Sequence, residues 1–269
     1  MEVLIDTHCH IHDPEYADAY EKPVEQIIRE AQEAGVKTFV CVGTSAESST
    51  KAVAFAKVWG VYASLALHPH EVAEKSPLQL QNEFEAVTAI ASKKHKEVVA
   101  IGECGLDYYY HSDKAVQLAQ QNLFRKHLDL AVSYNLPLIF HIRNAFNDFF
   151  AIIDEYSKAG HTVRGVVHSF TAHQAELEGC LSRGFYIGLN GIMTFTKDEK
   201  QLEAATSVPL NRLVLETDAP FLTPKPYRGK MCELRHILLT ATFLSEVRGE
   251  SLHTLATHST ANAETLFCL

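Results

Sequence analysis

Short apolar runs alternate along this chain with longer stretches in which apolar positions recur every three or four residues. The short runs predict β-strands buried on both faces, and the longer stretches predict amphipathic helices. The strand-like runs are VLIDTH near 3–8, KTFVCVG near 37–43, VYASLAL near 61–67 and VVAIGE near 98–103. PLIFHI near 137–142, RGVVHSF near 164–170, FYIGLNG near 185–191 and RLVLETD near 212–218 continue the series. A helical pattern follows each, as in PVEQIIREAQEA near 23–34, AVAFAKVW, and the stretches near 114–134 and 146–158. Two more, near 233–247 and 251–266, close the chain.

Local signals set the boundaries. Pro23 suits a first helical turn and Gly35 a helix stop. Ser76-Pro77 reads as a cap followed by proline at the first helical position. Thr171 with Gln174, and Thr196 with Glu199, have the spacing of capping boxes. Eight strand–helix units with short connections predict a (β/α)8 TIM barrel, with residues 1–269 as a single domain. A doubly wound open sheet is the rival. It usually has fewer strands and a glycine-rich turn after the first, where this chain has DTHCHIHD. TPKPYRGKM, near 223–231, is expected to be an irregular loop on the active face.

Composition narrows the chemistry. With 269 residues and 46% hydrophobic content the chain can fill one sizeable core. Net charge is −9 and the isoelectric point about 5.9, which argues against wrapping long nucleic acid duplexes. A nucleic acid substrate would be held by metal ions and a few local cations, at an end or a single strand. The cysteines, Cys9, Cys41, Cys104, Cys180, Cys232 and Cys268, form no CxxC pair. They read as reduced thiols in a cytoplasmic protein. No secretory signal and no apolar run long enough to span a membrane is expected.

Six metal-ligating side chains fall at the ends of strand-like runs: His8, His10, Glu103, His141, His168 and Asp218. A parallel barrel gathers the C-terminal ends of its strands on the active face, so these residues are expected to converge there. His8 and His10 are two apart, hence on one side of a strand. Asp6 would orient a ligand from behind. Glu103 could bridge two ions with its two oxygens. Asp218 could bind one ion and accept the proton of an activated water. The direction of Glu216 is open, and Asp107 and Tyr108 read equally as loop supports or turn residues.

His68 and His70, closing the third strand, are expected to contact substrate, and Arg143 to meet a phosphate with its planar fork. His12, His95, His111, His127, His161, His173, His236, His253 and His258 share no strand-end pattern and read as structural or exposed. Nitrogen and oxygen donors without a placed thiolate suit zinc, manganese, iron or magnesium, as one or two divalent ions. Two such ions support hydrolysis of a phosphodiester, and the same machinery hydrolyses esters and amides.

Taken in order, IDTHCHI, LHPHE, IGECGLDYY, LPLIFHIRNA, VVHSF and ETDAPFLTP resemble the TatD family of metal-dependent deoxyribonucleases, nearly end to end. The resemblance implies His8, His10, Glu103, His141, His168 and Asp218 as metal ligands, with His68, His70 and Arg143 near the substrate phosphate. It also implies a magnesium-dependent DNase of 3′→5′ exonuclease type. Two departures stand out. The family often has HCFSG where this chain has His168-Ser169-Phe170-Thr171-Ala172. It tends to have RGKxNEP where this chain has Arg228-Gly229-Lys230-Met231-Cys232-Glu233-Leu234. The expected function is hydrolysis of DNA, single-stranded or from an end, by a monomer or weak oligomer. The alternatives are an ester or amide hydrolase such as an aminoacyl-tRNA deacylase, and a catalytically silent barrel scaffold.

Overall fold

A computed structural model describes residues 2–14, 20 and 22–269. Its strands are β1 (Leu4–Cys9), β2 (Val36–Val42), β3 (Tyr62–Leu65), β4 (Val98–Asp107), β5 (Leu138–Arg143), β6 (Gly165–Val167), β7 (Tyr186–Leu189) and β8 (Leu213–Leu215). They follow one another in one sheet in sequence order, with the strand pairs parallel, which is the (β/α)8 barrel class. The principal helices are α1 (Val24–Glu33), α2 (Ala46–Trp59), α3 (Pro77–Ser92), α4 (Lys114–Tyr134), α5 (Phe146–Lys158), α6 (Gln174–Ser182), α7 (Glu199–Ser207), α8 (Ile237–Arg248) and α9 (Leu252–Phe267).

The chain divides into two compact units. The first joins Met1–Cys41 to His168–Leu269. In it β1 runs beside β2, from Leu4 opposite Val36 to Cys9 opposite Cys41, and β7 runs beside β8. A bridge between Cys9 and Ala219 ties the end of β1 to the chain just past β8. Helix α9 is fastened by polar groups as well as apolar burial. Asn262 donates to the carbonyls of Leu210 and Leu213 at 2.7 and 2.8 Å, and Thr260 donates to Val3 O at 2.8 Å.

The second unit is Val42–Val167. Its core includes Phe124, Phe140 and Phe149, all fully buried, with ring centroids 5.1–6.0 Å apart. His127 on α4 is fully buried, edge-on to Phe84 at 5.1 Å, and serves the structure. Its Nε2 accepts Leu67 N–H at 3.0 Å and its Nδ1 lies 2.9 Å from Leu123 O. Burial holds it neutral, with the pKa lowered to about 4.

Several boundaries differ from expectation. Strand β4 runs on to Asp107, pairing as far as Asp107 opposite Arg143. Gly105 makes this possible: its φ is +149°, and a Cβ there would collide with the carbonyl of His141. Strand β6 is shorter than expected because Ser169 turns the chain into the left-handed region. The capping boxes at Thr171 and Thr196 do not form. Helix α6 starts after His173, whose N–H donates to Glu176, and α7 starts after Asp198. The Asp198 carboxylate accepts from Lys200 N and Gln201 N, so it caps two orphan amides, and Thr196 Oγ1 accepts from Asp198 N instead. The box at Ser76 does form, with Gln79 and with Pro77 at the first turn.

Candidate metal centre

The first unit brings His8, His10, His168 and Asp218 together. The imidazoles of His8 and His10 face each other through Nε2 at 3.1 Å. Asp218 Oδ1 lies 3.5 Å from His8 Nε2, 3.4 Å from His10 Nε2 and 3.9 Å from His168 Nε2. All three imidazoles are buried. Backbone bonds across the ends of β1 and β8 set this register: Asp218 N–H donates to His8 O, and His10 N–H to Ala219 O. Burial pushes the Asp218 carboxyl up in pKa, but the bond from His10 and the neighbouring His168 and His8 outweigh it, so the net shift is downward.

Asp6 does not orient an imidazole as expected. It is fully buried and accepts from the backbone N–H of His8 and Thr217 at 3.2 and 2.9 Å, and from Thr217 Oγ1 at 2.6 Å. It therefore pins β1 against the chain leaving β8. Its burial raises its pKa to about 7, against the pull of those bonds.

Glu216, whose direction the sequence left open, points toward His168. Its Oε1 is 2.9 Å from His168 Nδ1 and accepts Ser169 N–H at 2.7 Å and Asn190 Nδ2 at 3.1 Å. This carboxylate stands behind the imidazole, on the side away from Asp218. Such a partner orients a metal-ligating histidine. Glu216 lies two residues before Asp218, the same spacing that paired His8 with His10, so the sequence did carry a signal for it. Asn190 had none.

The second unit gathers Glu103, His141, His68, His70 and Asp107. His141 lies between two carboxylates. Its Nδ1 is 2.6 Å from Glu103 Oε1 and its Nε2 is 3.1 Å from Asp107 Oδ2. Burial lowers its pKa, yet the bonds to Asp107 and Glu103 raise it to about 9. Asp107 also receives His70 Nε2 at 2.9 Å and Tyr109 N–H at 2.9 Å. Gln120 on α4 clamps the Asp107 peptide from both sides, accepting its N–H at 2.9 Å and donating to its carbonyl at 3.1 Å. Asp107 is thus the hub of this cluster. Glu103, Gly105 and Asp107 alternate along β4, so the period-two rule that singled out His8 and His10 also pointed to it.

His68 lies 3.6 Å from Glu103 Oε1, close enough to join a ligand set with Glu103 and His141. Its tautomer argues for another role. Nδ1 accepts His70 N–H at 3.2 Å, and burial lowers its pKa to about 4. A neutral ring with Nδ1 accepting carries its proton on Nε2 and is a donor there. That suits contact with an anionic substrate oxygen. Arg143 sits at the exposed end of β5, with its guanidinium carbon 3.8 Å from the Tyr109 ring centroid.

Donor chemistry in both units fits a divalent cation. In each of the groups His8–His168–Asp218 and His68–Glu103–His141, one donor atom per residue lies within 4.8 Å of the others. Bonds of about 2.0–2.2 Å to one ion need donors roughly this close or slightly closer.

The two sequence departures are accommodated locally. Ala172 is not among the residues of positive φ, so no glycine is required there. Cys232 is buried, donates its N–H to Pro220 O at 2.9 Å and accepts Tyr20 OH at 2.6 Å. Glu233 pairs with Lys22 at 2.7 Å. The six cysteines are all free thiols.

The family model described as TatD related DNase matches residues 5–268. The chain belongs to this family. An uncharacterized metal-dependent hydrolase of Buchnera aphidicola is 35% identical over 98% of each chain. A 3′-5′ ssDNA/RNA exonuclease TatD of Cronobacter turicensis is 35% identical over 90% of this chain and 91% of its own. The crystal structure of YjjV, a TatD homologue from Escherichia coli K12, superposes with a TM-score of 0.88, at 28% identity over 99% and 98% of the two chains. No helix among the described residues is long and apolar enough to cross a membrane.

Proposed function

We propose that this TatD-family metal-dependent hydrolase cleaves DNA phosphodiesters, removing nucleotides from the 3′ end of a single strand. The observation that carries the reading is the pair of imidazole–carboxylate groups, one in each unit, both at the C-terminal ends of strands where this barrel class places its chemistry. His8, His10, His168 and Asp218 would hold one divalent ion, and Glu103 with His141 a second. Bound ions would supply Lewis acidity toward the phosphate and lower the pKa of the attacking water. Asp218 accepts that water's proton: its lowered pKa keeps it ionised, and three imidazoles fix Oδ1 in place. As the water oxygen bonds to phosphorus, the P–O3′ bond breaks, the freed O3′ takes a proton from solvent water, and Asp218 releases its own to solvent. His68 Nε2–H, which lies 3.6 Å from Glu103 Oε1 in the metal-free site, would donate to a phosphate oxygen once an ion engages Glu103. Glu216 and Asp107 hold His168 and His141 in their orientations.

The DNase reading is supported by the family match and by the relatives named as ssDNA/RNA exonucleases. The test is an oligonucleotide labelled at its 5′ end, incubated with Mg²⁺, Mn²⁺ or Zn²⁺, beside an aminoacyl-tRNA ester. Stepwise shortening from the 3′ end is expected. Internal cutting would reject the end-directed part. Deacylation of the tRNA ester without shortening of the oligonucleotide would replace the phosphodiesterase reading.

A further inference from the structure

The loop that follows β4 carries three consecutive tyrosines with opposite fates. Tyr108 turns inward: its hydroxyl donates to Asp148 at 2.8 Å and accepts from Gln121 at 2.8 Å. Tyr109 and Tyr110 turn outward, 56% and 59% exposed, which is unusual for large aromatic rings side by side. They pack edge to face, with centroids 4.8 Å apart at 89°. The Arg143 guanidinium lies 3.8 Å from the Tyr109 centroid and 5.1 Å from that of Tyr110. Tyr110 in turn packs edge-on against His70 at 5.4 Å. The platform is held to the cluster by one carboxylate. Asp107 accepts Tyr109 N–H through Oδ1 while its Oδ2 accepts from His70 and His141.

We propose that Tyr109, Tyr110 and Arg143 form a base-stacking and phosphate-binding subsite that selects single-stranded polynucleotide over duplex. The inference rests on the phosphodiesterase reading and deepens it by naming the residues that recognise the strand. Exposed aromatic rings interleaved with a guanidinium are the surface that unpaired bases use, because every base offers a π-face whatever its sequence. Duplex bases are stacked on one another and cannot reach such rings. Arg143 serves two ends here: its planar face rests on Tyr109, and its N–H fork reaches a backbone phosphate. A single cation suits a chain of net charge −9, which cannot coat a long duplex. Anchoring the loop on Asp107 keeps the stacked base at a fixed reach from His70 and His141, so the phosphate beside it is presented to the cluster.

The test compares Tyr109→Ala and Tyr110→Ala with wild type on a 5′-labelled oligothymidylate and on the same strand carrying abasic residues near its 3′ end. Both tyrosines are exposed, and melting temperatures should stay at the wild-type value. Loss of one stacked base should raise KM by about tenfold or more on the ordinary strand. On the abasic strand wild type and variants should agree within about twofold, since the base they would hold is absent. Tyr109→Phe should behave as wild type. Arg143→Ala should flatten the plot of log affinity against log salt by about 0.7, one single-strand phosphate, and the tyrosine variants should leave that slope alone. A purely structural loop would slow both strands equally, which would overturn the proposal. So would tyrosine variants with wild-type KM on ordinary strands that wild type does shorten. Failure of wild type to shorten any strand would instead remove the phosphodiesterase reading on which the proposal rests.

Discussion

Asp107 is the sharpest place to probe the second cluster. Its carboxylate accepts from His70 Nε2 at 2.9 Å, His141 Nε2 at 3.1 Å and Tyr109 N–H at 2.9 Å, and Gln120 fixes the peptide. Asp107→Asn keeps the shape but leaves one acceptor oxygen. With that oxygen toward the imidazoles, the amide NH2 confronts Tyr109 N–H. With the side chain flipped, NH2 confronts both imidazoles. Either way a bond is lost along with one of the two negative charges flanking His141. In metal-free protein the pKa of His141 should therefore fall from about 9 toward or below the ordinary histidine value near 6.5, with burial then opposed by Glu103 alone. In the metal-loaded protein, losing the carboxylate that orients this ring should weaken the Glu103–His141 ion by about 10- to 100-fold, or roughly 1.4–2.7 kcal/mol. Nitrogen-detected NMR titration of the histidines reads the first effect, and calorimetric titration with Mn²⁺ or Zn²⁺ reads the second. The His8–His10–His168–Asp218 site, whose residues belong to the other unit, is the internal control. An unchanged His141 titration with an unchanged isotherm would refute the assignment of Asp107 as hub.

Other perturbations follow from the same geometry. Asp218→Asn should cut turnover by about 100-fold or more, because the amide cannot take up the proton, while far-ultraviolet circular dichroism stays unchanged; near-wild-type hydrolysis by pure variant would remove Asp218 from the mechanism. Gly188→Ala would set a Cβ 2.5 Å from Glu216 Oε2, and that carboxylate is pinned by Ser169 and Asn190. Chemical denaturation should show a loss of about 1–3 kcal/mol, and metal should bind more weakly at the His168 site; a neutral substitution would mean Glu216 can move freely. His127 and His236 have pKa values lowered to about 4 by burial, below their unfolded value near 6.5. Their contribution is complete above pH 6.5 and is lost as pH falls toward 4, so metal-free protein should lose stability across that window. For fully buried His127 the linked loss is about 3 kcal/mol, and His127→Leu should flatten this part of the curve while lowering stability at pH 7 by stranding Leu67 N–H.

The strand–helix alternation was legible because most strand positions are buried and therefore written largely in apolar residues. The start of helix α3 was legible to the residue, since Ser76, Pro77 and Gln79 act on one another within a single turn. The starts of α6 and α7 were not. Asp198 and Thr196 both offer an oxygen near the same amides, and the winner depends on how the preceding loop arrives. The same limit applies to the ends of β6 and β8. Ser169 and Asp218 adopt positive φ in the chain just past these strands, and neither residue type announces this.

In the site, spacing revealed which residues share a face but not which atoms meet. His8 and His10 came from period two, and Glu216 and Asp107 obey the same rule relative to Asp218 and Glu103. They were passed over because a carboxylate that binds an imidazole from behind looks, in sequence, like one that binds an ion. The distinction lies in partners drawn from other elements: Ser169 and Asn190 around Glu216, and Gln120 around Asp107. His68 shows the converse. Geometry alone would admit it as a ligand, yet the His70 N–H on its Nδ1 commits Nε2 to donate. Donors and acceptors at these strand ends are therefore assigned by second partners, each of which removes one option from an imidazole. If the proposed substrate is right, that division is how a chain of net charge −9 would meet a polyanion. The carboxylates of Asp107, Glu216 and Asp218 are turned toward histidines, and the groups proposed here to meet a phosphate, His68 and Arg143, are donors.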